Sequence, residues 1–236
     1  MENKNNIIIF SIALLLSAII LAFSIKNIVS TDGVVTVKGS SQQYVVADKV
    51  LWNISFVSVG NDLDIINNKI ITDTDKVKKF LKKYALTDEE ISLGQLDFVD
   101  LDAREYNTTK APNRFIVTQT IVIESNNVNA VEKASKNLLD LLQENVYLKE
   151  NYNETKPMYI FTKLDDIKNT MIEEAIKKAE SSAREFADNS NVKLGKIKKA
   201  NQGMFVITGK NKGDYNELYQ KEKEVRVVST FEYYLK

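Results

Sequence analysis

The chain contains neither cysteine nor histidine. Without cysteine there is no disulfide framework, no thiolate nucleophile or thiolate metal site, and no lipoprotein anchor. Without histidine the usual general base near neutral pH and the commonest zinc ligand are gone. Ser-His-Asp and Cys-His mechanisms are therefore excluded within this chain, and only carboxylate, Lys, Tyr or Ser chemistry stays open. Net charge is missing as well, with 32 basic side chains against 32 acidic ones in 236 residues. Neutralising phosphates takes an excess of Lys and Arg, so this balance argues against a nucleic-acid partner. Proline occurs twice and glycine eight times, and no low-complexity linker marks a domain boundary.

What the chain does have begins with a hydrophobic run, IIIFSIALLLSAIILAFSI, from Ile7 to Ile25 between Lys4 and Lys26. As a helix it would be roughly 28 Å long, one hydrocarbon core. Two readings compete: an uncleaved anchor, or a signal peptide cut after a small residue such as Ser24, with Ala22 two positions earlier. Either way, residues 1–30 are a signal anchor or signal peptide with a short flank. Residues 31–236 are then expected outside the cytoplasm, anchored in the cytoplasmic membrane by one N-terminal helix, or periplasmic or secreted if the run is cleaved.

Periodicity divides the exported part into alternating elements. VVTVKG, from residue 34, is a short strand. In the next strand Val50, Trp52, Ile54 and Phe56 share one face, which makes Trp52 a core residue rather than a ligand-stacking one. A helix from about 62 to 84 carries Leu63, Ile66, Ile70, Val77, Leu81 and Tyr84 on one stripe. Strands follow at 91 to 105 and 113 to 124, then a linking helix at about 127 to 143 with Val128, Val131, Leu138 and Leu142 inward. MYIFT is a strand, and Thr162 with Asp165 has the spacing of an N-terminal cap for a helix over 165 to 190. Strands at about 196 to 208 and 223 to 235 complete the chain. The expected fold is α+β: βαββ at about 34–124, the linking helix, and βαββ again at about 155–235. The sheets should be mainly antiparallel, with helices on one face.

The stretch AIKKAESSAREFADNSNVKLGKIKKANQG, residues 175 to 203, could be read as a basic surface. However, Ala175, Ala179, Ala183 and Ala187 recur every four residues, a stripe that lets a helix lie close against a sheet. Ile167, Met171, Ile176 and Phe186 flank the stripe. The charges lie mostly opposite, in the acid-before-base pairs Glu173 with Lys177, Glu174 with Lys178 and Glu180 with Arg184. The segment packs on one side and is solvated on the other.

That segment also resembles the ending of the SIMPL-domain family, where an alanine-rich helix leads through a turn into a strand. VTVKGSSQQYVVADKVLWNISF resembles the family's opening strand pair. The helix over 62 to 84, with Asn67, sits where the family has its first long helix, and Tyr106 with FIVTQTIVI resembles its central hairpin. The likeness covers about residues 34 to 235. Two turns depart from it: Ser41 stands where a second glycine is usual, and Ala85 and Leu86 where a glycine closes the first helix. The resemblance implies an exported, envelope-associated protein without an established active site. Some bacterial members assemble into large homo-oligomers, and some are linked to tolerance of oxidative stress.

Other constellations are weaker. Asp97, Asp100, Asp102 and Glu105 crowd one strand, and Asp100 and Asp102 share a side, so they are the candidate calcium ligands. No glycine-pinned loop accompanies them, and acids on an edge strand also discourage aggregation. Ser190 and Lys193 have Ser-x-x-Lys spacing, but at a helix exit and without companion motifs. The loop over 207 to 217 lacks phosphate-loop spacing and reads as a long hairpin loop, with a subunit contact as its second use. The expectation is a non-catalytic protein without cofactor that acts by homo-oligomeric assembly or partner binding in the cell envelope. The alternatives are an extracytoplasmic hydrolase using a carboxylate pair or a Ser-Lys dyad, and a small-ligand or calcium-binding envelope module.

Overall fold

The computed structural model describes residues 10–20, 33–103, 112–149, 156–211, 213 and 217–236. Residues 10–20 are helical, within the expected membrane segment; its ends, 7–9 and 21–25, lie outside the described residues. Among the described residues no helix is long and apolar enough to cross a membrane.

The elements run β1 (Gly33–Val46), β2 (Lys49–Gly60), α1 (Leu63–Lys83), β3 (Ile91–Asp100), β4 (Phe115–Ser125), α2 (Val128–Lys136), α3 (Leu139–Gln143), β5 (Met158–Ile160), α4 (Leu164–Asn189), β6 (Leu194–Gln202), β7 (Val206–Gly209) and β8 (Glu222–Leu235). They form an α+β structure with two four-stranded sheets. One has the order β3-β4-β2-β5; the other has the order β1-β8-β6, with β7 also on β8. The pairings β2–β4, β2–β5, β3–β4, β6–β8 and β7–β8 are antiparallel.

This corrects the expected second βαββ unit. β5 does not join the strands that follow it but adds to β2 through Lys49↔Ile160, Val50↔Tyr159 and Leu51↔Met158. The second sheet instead recruits β1 from the start of the fold. A three-residue strand carries no pattern from which its partner could be read. The expected strand over 196 to 208 is two strands, separated at 203–205. A Cβ at Gly203 would overlap the Val228 carbonyl oxygen, so the chain passes β8 there too closely for a side chain. The linking helix is also two helices, because Asn137 ends α2 and its side-chain amide donates to the Lys133 carbonyl.

By contacts the chain separates into two compact units. The smaller comprises the described residues up to Ser40 with Glu174–Gly203 and Val228–Lys236; the larger comprises those in Ser41–Glu173 and Met204–Val227. In the larger, Val50, Trp52, Ile54 and Phe56 on β2 are buried as their alternation predicts, with Ile121 and Ile123 on β4 and Ile66, Ile70, Val77 and Leu81 on α1. Leu63 and Leu142, expected inward, are exposed; Leu141 turns into the core because α3 starts afresh after the break. In the smaller unit Val35, Ala179, Ala183, Phe231 and Tyr233 form the core. Ala175, Ala179, Ala183 and Ala187 are all fully buried, as the four-residue spacing requires. Opposite them, Glu174–Lys178 and Glu180–Arg184 pair at 2.6 and 2.8 Å. Ile176 and Phe186, at the stripe's margin, stay largely exposed.

The ends of α1, α3 and α4 follow one rule. Ala85, Asn145 and Asn191 adopt positive φ of 62°, 61° and 54°. In each case the next amide reaches back to the last turn: Leu86 to Leu81, Val146 to Leu141 and Val192 to Ala187. This is the Schellman ending, in which a left-handed residue lets two orphan carbonyls find donors. Thr162 does not cap α4 as its spacing suggested. Its amide and hydroxyl both donate to Asp48, each at 2.6 Å, tying the end of β5 to the start of β2.

Candidate functional site

β3 lies at the end of its sheet, and no strand among the described residues pairs with its outer edge. Its start is pinned by a capping box. The Thr87 amide and hydroxyl donate to Glu90, whose other carboxylate oxygen accepts from Ser125 at 2.5 Å. Burial pushes the Glu90 carboxyl up, but the hydrogen bonds from Ser125 and Thr87 outweigh it and hold the group below its ordinary value. The register of β3 on β4 then slips between Leu93 and Leu96. The Gln119 amide fills that bulge, donating to the Gly94 carbonyl at 3.3 Å and the Thr120 carbonyl at 2.8 Å.

The register places Leu93, Leu96 and Phe98 opposite Ile121, Gln119 and Val117, on the face of the sheet that carries the core. Helix α1 packs over β2 and β4. The sheet therefore extends one strand beyond its cover, leaving Leu93, Leu96 and Phe98 59, 56 and 50% exposed. Three large apolar side chains beside an unpaired backbone edge form a template for another strand. The sequence reading treated this strand through its acids and missed its apolar row. The Gly94–Gln95 bulge carries Leu93 and Leu96 to one face although they are three positions apart, so strict alternation hides them.

The acids at the far end of β3 serve the hairpin. Arg114 donates to Asp100 through Nε at 3.0 Å and through one terminal nitrogen at 2.8 Å, and its Nε lies 3.6 Å from Asp102. The Arg114 hydrogen bond draws the Asp100 carboxyl below its ordinary value against a smaller upward effect of desolvation. Asp100 also accepts from the Asp102 amide, and Asp97 accepts from Gln95 at 2.6 Å. Among the described residues no cluster of three metal-ligating side chains occurs. Glu105 and Tyr106 lie outside the described residues.

Two grooves of about 450 Å³ each lie in the larger unit. The first is largely apolar, between Val57 and Val59 on β2 and Ile65 and Ile66 on α1, closed by Tyr147. Its one carboxylate, Asp62, is the N-cap of α1 and accepts from the amides of Asp64 and Ile65. Lys69, at its wall, is bound to the buried Asp73 at 2.6 Å and to the Asn145 carbonyl at 2.9 Å. The second groove brings Asp140 and Glu144 together, but Asp140 pairs with Lys83 at 3.2 Å and neither acid is buried. Ser190 and Lys193 are both exposed, on either side of the Asn191 turn. In the 207–217 loop, Gln220 clamps Asn211 through amide and carbonyl. The buried Lys223 ammonium donates to the Glu217 carbonyl at 2.7 Å; burial lowers its pKa.

The family model described as a protein of unknown function (DUF541), SIMPL, matches residues 35–230. The chain belongs to the SIMPL family. No curated protein matches it. The two positions that depart from the family pattern differ in setting. Ala85 takes the left-handed conformation itself, and Ser41 is buried within β1.

Proposed function

We propose that this SIMPL-family chain is a non-catalytic extracytoplasmic protein that acts by homo-oligomeric assembly or partner binding in the cell envelope. The observation that carries this reading is the outer edge of β3, where Leu93, Leu96 and Phe98 are exposed beside strand backbone that no strand among the described residues pairs. Long apolar edges invite pairing, and a chain that keeps one gains by covering it. The non-catalytic part of the reading draws on the chemistry available. There is no histidine or cysteine, and of the acids in or beside the grooves Asp62 is engaged as a helix cap and Asp73 and Asp140 with lysines, which leaves Glu144 without a second free carboxylate beside it. The run Ile7–Ile25 supports the location. In this reading residues from about 31 onward lie outside the cytoplasm, held by one N-terminal helix or released if the run is cleaved. Tolerance of oxidative stress is the process the family likeness implies.

The test is the absolute mass of the full chain in an uncharged detergent, by light scattering after gel filtration, with the detergent contribution subtracted. A discrete assembly of several copies is the expected result. A monomer at every concentration would remove self-assembly and leave a binding module whose partner must be sought directly.

A further inference from the structure

Two strand edges of this chain are complementary to each other. β3 is one. The other is β6, which ends the sheet order β1-β8-β6 and has no partner on its outer side among the described residues. Their charges are opposite. Residues 88 to 102 hold six acids, Asp88, Glu89, Glu90, Asp97, Asp100 and Asp102, and no base. Lys82 and Arg114 pair with Asp88 and Asp100, yet an acidic excess remains. Residues 193 to 199 hold Lys193, Lys196, Lys198 and Lys199 and no acid. Glu232, across from Lys199 on β8, offsets one of these.

The faces match too. On β6, Leu194, Ile197 and Ala200 stand opposite Leu235, Tyr233 and Phe231, on the side that carries the core of the smaller unit. Ile197 is 51% exposed there, in the same situation as Leu96 and Phe98 on β3. On the opposite face of each strand lie Asp97 and Lys199. An edge-to-edge union of β3 and β6 thus continues an apolar row on one face and sets acid against lysine on the other. Pairing β3 with β3, or β6 with β6, opposes like charges, which destabilises a strand pair. Lysines on an edge ordinarily keep strands apart, and here they leave an acidic edge as the admissible partner.

Resting on the assembly reading above, we propose that copies of this chain join head to tail, β3 of one copy adding to β6 of the next. Such an interface is heterologous, so repetition makes a closed ring where the rotation closes and a filament where it does not. Backbone hydrogen bonds supply the adhesion and the charge pattern supplies the choice of edge.

The absence of native cysteine makes the test clean. Two full-length variants, Phe98→Cys and Ile197→Cys, are made with tags of different size and treated with a short bis-maleimide, separately and mixed. The expected result is a cross-linked species containing both tags in the mixture and none in either variant alone. Independently, Lys196→Glu, Lys198→Glu and Lys199→Glu together should weaken association about tenfold or more at low salt, with an unchanged melting temperature. Asp97→Lys supplied on the other copy should restore part of the loss. A full chain that assembles by light scattering but gives no mixed cross-link would overturn this edge pairing and leave the assembly reading standing. Cross-links within one variant alone would overturn it likewise, and a monomeric full chain would overturn both.

Discussion

Gly39 on β1 lies so close to Ala175 on α4 that a Cβ at position 39 would overlap the Ala175 carbonyl oxygen and come within 2.8 Å of the Ala179 Cβ. The glycine and the alanine stripe are two halves of one contact. Each removes side-chain volume so that helix and strand backbones can meet. Gly39→Ala must push backbone rather than a flexible side chain, and the expected cost is about 3 kcal/mol in urea denaturation. Gly33→Ala is the control. Its nearest neighbours are 3.6 and 3.7 Å away on Leu235, an ordinary contact, and the change should stay within about 0.5 kcal/mol.

Ala85 ends α1 with φ of 62°, a conformation that costs an L-residue roughly 1–2 kcal/mol and glycine almost nothing. Ala85→Gly relieves that strain and gives back part of it in unfolded-chain entropy. The net expectation is a gain of about 0.5–1 kcal/mol, seen as a higher denaturation midpoint with an unchanged m-value. Leu86 should remain buried and donate to the Leu81 carbonyl as before.

Glu132 accepts from Lys136 and Lys221, both at 2.7 Å, and these bonds hold its carboxyl at about 2, below the ordinary 4.5. The folded pKa is depressed, so the unfolded chain binds the proton first as pH falls. The stabilisation is complete above about pH 4.5 and is lost progressively as pH drops toward 2. The side chain is partly exposed, so after allowance for solvent its contribution is roughly 1 kcal/mol at neutral pH. Glu132→Gln should lose that amount at pH 7 and show a shallower decline in urea stability through the acid window.

Much of the fold could be read from spacing, because burial on one face imposes a period. Trp52, Ile54 and Phe56 alternate, and Ala175 to Ala187 step by four, since each faces a single packed surface. Strand pairing was harder to read. β1 reaches β8 across nearly the whole chain, and β5 is three residues long, so neither carries a local signal for its partner. The candidate edge was half visible. The lysines of β6 and the acids of β3 stand out in the sequence, but they read as solvated faces. Whether such a face belongs to an interior or a terminal strand depends on sheet order. The exposure of Phe98 likewise depends on where α1 stops covering the sheet, which no residue in β3 records.

Arg114 decides what the acids at the end of β3 can bind. Its guanidinium engages Asp100 through two nitrogens and reaches toward Asp102, so the oxygens that suggested a calcium site are already facing a cation. Calcium needs six to eight oxygen ligands and would have to displace that arginine to use these two. Excess calcium is therefore expected to leave the melting temperature unchanged; a saturable rise would instead restore Asp100 and Asp102 as ligands. The complementary measurement is the Asp100 titration, followed by carboxyl NMR. Arg114 lowers that pKa mainly through its hydrogen bond, so Arg114→Gln should return it toward 3.8. Asp97 accepts from Gln95 at 2.6 Å and stands apart from that pair. A rise at Asp100 on that substitution would mark Arg114 as the local counter-ion of the hairpin end and leave Asp97, on the other face of β3, available to a lysine from another strand.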